Sequence, residues 1–410
     1  SRSATIVLGP SWFTFGLNFA PFILDSGTFK GSRVPFVHLS DDRLSMHTRR
    51  QFLLAAGGST VGASLAYSQE AFPGHQWTNA ELMPIEGRGW EEQPRLRFFD
   101  RLPAKAEKTV RPAVWNLSRD SAGMAIRFRS DATSISVRYT LRSDRLAMPH
   151  MPATGVSGID LYARDPKGRW RWVNVTRPAN RRVEAKLGDG LDPGTREYMA
   201  YLPLYNGIDE LEFGVPAGSL FEPLPQREKP MVFYGTSITH GACASRPGMC
   251  HPSILGRWLN RPVLNLGFSG NGRLEIEVAE LMSELDASVF VIDCLPNLSN
   301  PQDVADRTGP LVDRLRAASR TTPIVLVEDR TYDNAWITRS ARDRHAATRR
   351  ALRQAFEALR EAGDENLHYL EGKTLLGEDG DATTDGSHPN DLGFYRQARA
   401  MEPLLRRLLS

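Results

Sequence analysis

The chain has 410 residues, more than one ordinary core accommodates, and at roughly 150 residues per domain it predicts two or three units. Charged residues at 24% and apolar residues at 41% describe a globular protein and argue against long disorder. The net charge is only +3, and the excess lies in residues 1–66; beyond them 45 basic residues face 45 acidic ones. A neutral body gives no basis for a nucleic-acid tract or a polybasic membrane surface.

Residues 1–45 carry no motif. Trp12 to Leu24 is largely apolar but is interrupted by Gly16, Asn18 and Pro21. Met46 stands where an initiator is expected, so residues 1–45 are expected to be an upstream extension or a mis-assigned start. Residues 46–68 then read as an export signal. Thr48-Arg49-Arg50-Gln51-Phe52-Leu53-Leu54 is followed by the small residues of 55–63, and Ser64-Leu65-Ala66 suits signal peptidase. The segment resembles the bacterial twin-arginine signal, which implies a periplasmic or secreted protein. Its apolar run of about a dozen residues is short of the roughly 20 that span a bilayer, so a stable membrane span is not expected.

From residue 76 to 225 the pattern is short alternating strands. Met124–Arg129, Ser134–Tyr139, Gly158–Ala163, Trp170–Val175 and Glu210–Val215 are separated by turn signals such as Asp165-Pro166-Lys167-Gly168. With no convincing helix among them, they predict one antiparallel β-sandwich. Pro223, Pro225 and Pro230 mark a linker.

After the linker, residues 230–410 change grammar. Apolar runs at Met231–Tyr234, Val263–Leu266, Val289–Ile292 and Ile324–Val327 alternate with helix-period segments at His251–Leu259, Arg273–Leu285, Val304–Ala318, Arg342–Ala362 and Pro389–Leu409. This alternation predicts a parallel sheet with helices on both faces. Sites in such sheets gather at the carboxyl ends of the strands.

Those ends carry four polar blocks. Gly235-Thr236-Ser237-Ile238-Thr239-His240 follows the first run and Gly267-Phe268-Ser269-Gly270-Asn271-Gly272 the second. Asp293-Cys294-Leu295-Pro296-Asn297 follows the third, and Asp385-Gly386-Ser387-His388 lies near the C-terminus. In order and context the set resembles the SGNH (GDSL-type) hydrolases, whose blocks supply a serine, a glycine, an asparagine and an Asp-x-x-His pair. They map onto Ser237, Gly270, Asn297 and Asp385/His388. The third block lacks the glycine and aspartate usual beside the asparagine, which points to a subgroup. Gly158-Ile159-Asp160-Leu161-Tyr162 is similar to the GxDLY signature of a domain that precedes SGNH modules in some bacterial proteins. That resemblance implies a jelly-roll-like sandwich beside the hydrolase, and carbohydrate-ester deacetylation as the chemistry.

The residue types suit that chemistry. A serine hydroxyl needs a base to take its proton in the transition state, and histidine titrates near working pH. Asp385, three residues before His388, can fix the imidazole tautomer. Donors for an oxyanion are expected from the Ser237 and Gly270 N–H groups and the Asn297 amide. Each block alone is more often a loop, a helix cap or a surface turn, and only their joint occurrence carries the reading.

Glu328, Arg330 and His240 are expected as candidate site-lining residues, with an Arg–carboxylate pair holding a loop as an equal alternative for the first two. Cys243 and Cys250 are near enough in sequence to bridge, and Cys294 reads as a buried thiol. His240, Cys243, Cys250 and His251 match no common zinc spacing, so no metal or other cofactor is expected. Trp115, Tyr139, Trp170 and Trp172 form a candidate sugar-stacking platform, though core packing is the commoner use of such residues. Asp160 and Tyr162 read as structural.

The expected protein is therefore an exported serine esterase that removes short acyl groups, most simply acetyl, from a carbohydrate partner. The alternatives are a lipid esterase or thioesterase of the same type, and a carbohydrate-binding protein with a vestigial hydrolase. Oligomeric state cannot be read from the sequence.

Overall fold

The alternating segments fold into two antiparallel sheets, and the apolar runs beyond them into a five-stranded parallel sheet. The computed structural model describes residues 72–410; residues 1–45, the paired arginines and the Ser64-Leu65-Ala66 cleavage candidate lie outside the described residues. The sheets all belong to one compact unit, Ser68–Ser410.

The antiparallel strands are β1 (His75–Asn79), β2 (Ile85–Glu86), β3 (Ala125–Ser130), β4 (Ile135–Leu141), β5 (Asp160–Arg164), β6 (Trp170–Val175), β7 (Arg182–Gly188), β8 (Arg196–Tyr201), β9 (Ile208–Pro216) and β10 (Phe221–Pro223). One sheet runs β1-β9-β4-β7 and the other β10-β3-β8-β5-β6, with β2 added to β3. Period-2 alternation turns Val137, Tyr139, Leu211 and Phe213 of the first sheet onto Ile126, Phe128, Leu161 and Tyr198 of the second, closing one core. Strand β8 escapes sequence reading because it is buried on both faces. Tyr198 and Ala200 face the sandwich core, while Met199 and Tyr201 face the other way.

Residues 87–122 depart from the expected all-β domain. They include a helix, Pro112–Ser118, with proline at its start where a missing N–H costs nothing. Trp90, Leu102, Val110, Val114 and Trp115 pack with Leu264, Phe268 and Val278 in the core of the α/β region, not in the sandwich. A connection between strands of the sandwich therefore forms part of the hydrolase core.

The parallel strands are β11 (Met231–Gly235), β12 (Val263–Gly267), β13 (Val289–Asp293), β14 (Ile324–Val327) and β15 (Leu367–Leu370), in the order β12-β11-β13-β14-β15. Every residue of β11, β12 and β13 is buried. Val232 and Tyr234 meet the layer that holds helices Ile276–Met282, Pro301–Ala318 and Arg339–Glu361. Met231 and Phe233 meet helices His251–Trp258 and Asp391–Leu408. Covering both faces removes the alternation and explains the continuous apolar runs. Strand β15, at the sheet edge and largely half-buried, lacked that signal.

The second antiparallel sheet is joined to the α/β region through the GxDLY segment. One Asp160 oxygen accepts from the Gly248 N–H at 2.8 Å and from Arg246 Nη1 at 3.0 Å; the other accepts from Trp172 Nε1 at 2.9 Å. The Arg257 guanidinium lies 4.0 Å from the Tyr162 ring centroid, and Tyr201 donates to the Ser253 carbonyl at 3.3 Å. Asp160 is fully buried, so losing it leaves charged and backbone donors without their acceptor. Asp160→Ala is expected to lower unfolding free energy by about 3–5 kcal/mol in urea titration. A loss below about 1 kcal/mol would show that the clamp is dispensable.

Candidate active site

Ser237 opens a one-turn helix, Ser237–His240, directly after strand β11, which lies between β12 and β13. Thr236 caps it, its hydroxyl accepting from the Ile238 N–H at 3.2 Å. Residues in a first helical turn keep backbone N–H groups without intrahelical partners, which leaves the Ser237 N–H available at this sheet edge. Ser237 as a residue is buried, 8% exposed.

The C-terminal block closes over it. Ser237 Oγ lies 2.8 Å from His388 Nε2, and His388 Nδ1 lies 2.7 Å from an Asp385 oxygen. The carboxylate fixes the proton on Nδ1, so Nε2 accepts from the serine hydroxyl. The other Asp385 oxygen accepts from the N–H groups of His388 at 2.8 Å and Ser387 at 3.0 Å. Burial pushes the Asp385 carboxyl up, but these N–H groups and the imidazole outweigh it and leave it below the ordinary aspartate value. Helix Asp391–Leu408 anchors the block: Asn390 caps it, and Asp391 accepts from the Ser245 N–H at 2.9 Å.

The glycine loop and Asn297 complete the set. Gly270 has φ +68° and open space at its Cβ position, so the left-handed backbone is what requires glycine there. Gly272 is fixed by proximity instead, because a Cβ would sit 1.9 Å from the Gly235 carbonyl oxygen. Asn297 ends a short 3-10 turn and donates one amide hydrogen to the Gly272 carbonyl at 3.2 Å. An amide carries two hydrogens, so this bond orients the second.

Several residues that hold the site gave no sequence signal. Arg101 is fully buried, donating from Nε to the Asp120 carbonyl at 2.9 Å, from Nη1 to the carbonyls of Asn265 (2.9 Å) and Gly267 (2.8 Å), and from Nη2 to that of Leu117 (2.6 Å). The Asn265 amide passes the constraint on, donating to the Thr239 carbonyl at 2.7 Å. Arg111 donates to the Asn271 side chain at 2.9 Å and its carbonyl at 2.8 Å, pinning the glycine loop. The connection between β8 and β9 supplies Tyr205, whose hydroxyl donates to the Ser237 carbonyl at 3.3 Å. The connection between β4 and β5 brings the exposed His150 ring to 6.3 Å from the His388 ring. Such long-range contacts have no local pattern to read.

Four expectations require correction. His240 does not line the site: it is fully buried, stacked on Tyr205 with centroids 4.0 Å apart. Burial, aided by the Arg101 charge, holds its pKa well below the usual histidine range, so the ring is neutral. Glu328 is buried, accepting from Tyr369 at 2.7 Å and the Gly372 N–H at 2.8 Å. Arg330 is fully buried, one of its nitrogens lying 2.8 Å from both Asp293 oxygens, so the Arg–carboxylate alternative applies to Arg330 with Asp293 as its partner. Cys243 and Cys250 are free, as is Cys294, and all three are buried; Cys250 donates instead to the Pro247 carbonyl at 3.3 Å. The aromatic platform is not assembled either. Trp115 lies in the α/β core, Tyr139 in the sandwich core, and Trp172 is tied to Asp160.

Asp329, beside Arg330, is buried and its carboxyl is pushed up to about 6, burial outweighing the charges of Arg330 and Arg344. A folded-state pKa above the unfolded value favours the native state at low pH, and that advantage fades as pH rises through about 6. Asp329→Asn removes the titration. Its melting temperature relative to the parent protein is therefore expected to rise between pH 4 and pH 8, as followed by thermal unfolding. A difference that is flat or falls with pH would contradict this.

Comparison with known proteins agrees with this architecture. Residues 228–406 match the GDSL-like lipase/acylhydrolase family, and residues 75–221 match the GxDLY family, described as the N-terminus of SGNH-hydrolase-type esterases. No curated protein matches the chain significantly. Among solved structures, a protein described as a GDSL-like lipase from Bacteroides ovatus ATCC 8483 is 32% identical, with a TM-score of 0.76 over 82% of this chain and 98% of that one. A salicylyl-acyltransferase from a tetracycline biosynthetic pathway shares the fold at 21% identity and a TM-score of 0.65, over 82% of this chain and 98% of its own. A family two carbohydrate esterase from Cellvibrio japonicus shares it at 11% identity and a TM-score of 0.55, with the same coverage. With one relative 32% identical along nearly its whole length and both regions matched in order, the chain belongs to the SGNH, or GDSL-like, hydrolase family, in the subgroup with an N-terminal GxDLY region.

Proposed function

We propose that this protein is an exported serine esterase that hydrolyses short acyl esters, most simply acetyl esters, of carbohydrates. The observation that carries the reading is the unbroken hydrogen-bonded chain from Ser237 through His388 to Asp385. In this reading Ser237 Oγ attacks the ester carbonyl carbon while His388 Nε2 takes its proton. The ionised Asp385 stabilises the imidazolium without itself accepting the proton. The oxyanion is met by the Ser237 and Gly270 N–H groups and the free hydrogen of the Asn297 amide. His388 then protonates the leaving sugar oxygen, and the acyl group stays on Ser237. Water, deprotonated by His388, attacks that ester; the carboxylic acid leaves and the proton returns to Ser237.

The burial of Ser237 favours a small acyl group over a long chain. The charged residues Asp333, Arg342, Lys373 and Asp379 around the nearby cavity favour a hydroxyl-rich alcohol over a lipid. Two structures with this fold are carbohydrate esterases, one of them from Clostridium thermocellum in complex with cellohexaose. Export rests on the paired arginines at Arg49 and Arg50. No helix of the described residues is long and apolar enough to cross a membrane.

The test is hydrolysis of p-nitrophenyl esters from acetyl to octanoyl. Activity is expected to be highest with acetyl and to vanish in Ser237→Ala; octanoyl preference, or activity surviving that substitution, would overturn the reading. Asn297→Ala is expected to lower kcat roughly 10²–10³-fold, the effect of removing one oxyanion donor. A loss under about fivefold would remove Asn297 from that role.

A further inference from the structure

Beyond the acyl site, the carboxyl ends of β14 and β15 enclose a cavity of about 620 Å³ whose lining includes Tyr332, Asp333, Trp336, Arg342, Lys373 and Asp379. It adjoins the catalytic loops. The Asp333 N–H donates to the Gly386 carbonyl at 3.0 Å, and the Asp333 carboxylate accepts from Thr383 at 2.7 Å, so one wall is bonded to the segment carrying Asp385. Tyr332 accepts from Arg344 at 2.7 Å, and the same guanidinium donates to the Pro296 carbonyl, next to Asn297. Asp333 thus ties the cavity wall directly to the histidine loop, and Tyr332 is linked through Arg344 to the asparagine loop.

Its most unusual feature is Trp336, which is 80% exposed beside Ile337 at 66%. Its exposed indole presents a broad apolar face at the cavity. The turn is ordered: Ala335 and Thr338 N–H groups bond back to Tyr332 and Asn334, and Arg342 Nη1 donates to the carbonyls of Ala335 (2.7 Å) and Trp336 (3.1 Å). Two of the surrounding charges are paired locally, Asp379 with Arg396 at 2.6 Å and Lys373 with Glu371 at 3.0 Å. Charged groups of both signs, Asp333, Glu378, Asp379, Arg342 and Lys373, thus supply donors and acceptors around an apolar face. That is the chemistry of a neutral pyranose, with C–H faces for the indole and hydroxyls for the rim.

We infer that this cavity is a glycan subsite in which Trp336 stacks against a neutral sugar ring of the chain whose ester lies at Ser237. The inference rests on the carbohydrate reading above and names where the rest of the substrate sits. It is tested by comparing the parent protein, Trp336→Ala and Trp336→Phe on p-nitrophenyl acetate and on chemically acetylated xylo-, manno- and cello-hexaose. Leu82→Ala, an exposed residue in the sandwich region, serves as control. The ratio of kcat/KM for the best acetylated hexaose to that for p-nitrophenyl acetate is expected to fall at least tenfold in Trp336→Ala. The fall should arise mainly through KM, recover in Trp336→Phe and be absent in Leu82→Ala. An unchanged ratio in Trp336→Ala overturns the subsite alone. Turnover of p-nitrophenyl acetate with none of the acetylated hexaoses overturns the carbohydrate reading and the subsite with it. If no ester is turned over, fluorescence titration of Ser237→Ala with the three hexaoses decides. Binding abolished by adding Trp336→Ala supports the subsite without the esterase reading, and absent or unaffected binding overturns it.

Discussion

The buried guanidinium of Arg101 is the constraint on which the site's geometry depends. Its donors take four backbone carbonyls, from Leu117 and Asp120 in the connection between β2 and β3 and from Asn265 and Gly267 at the end of β12. The cation is costly to bury; burial lowers its pKa to about 10, with Asp120 the nearest counter-charge opposing that shift. Two of these charge-assisted bonds fix the end of β12, where the glycine loop begins, and Asn265 links that point to Thr239 in the turn of the serine. Breaking a buried network of this kind typically costs about 3–5 kcal/mol, since the carbonyls left behind stay buried. Serine turn and glycine loop are thus set against each other by a residue more than a hundred positions away in sequence.

The same logic explains the two-part architecture. The sandwich region is no appended module, because the segment between β2 and β3 fills the hydrolase core and Tyr205 reaches the carbonyl of Ser237. The GxDLY aspartate works at the other contact, gathering the Gly248 N–H, Arg246 and Trp172 on one carboxylate. Its place is on the segment that follows the serine turn, so it steadies that segment and does not approach the reacting atoms.

Legibility followed the range of the interactions. Period-2 strands such as Ile135–Leu141 and doubly buried runs such as Val289–Asp293 announced themselves, because their patterns are local consequences of burial. The residues facing one another across the serine–histidine–aspartate chain were legible as short blocks at strand ends. Arg101, Arg111 and Tyr205 were not, since each acts through backbone carbonyls or ring contacts distant in sequence. Glu328, Arg330 and His240 misled for a related reason. A charged residue just after a strand can point into solvent at the site or inward to a partner, and only the partners Tyr369, Asp293 and Tyr205 decide which. Strand β8 and the helix Pro112–Ser118 were hidden because a second, unseen surface covers them.

The central claim is that Ser237, activated by His388, is the nucleophile. It is tested most directly by reaction with a p-nitrophenyl alkylphosphonate, which a nucleophilic serine attacks with loss of p-nitrophenolate. The account predicts one equivalent of p-nitrophenolate per chain, a phosphonyl adduct located on Ser237 by peptide mass spectrometry, and strong slowing in His388→Ala. An adduct on another residue, or no adduct in folded protein, would contradict it.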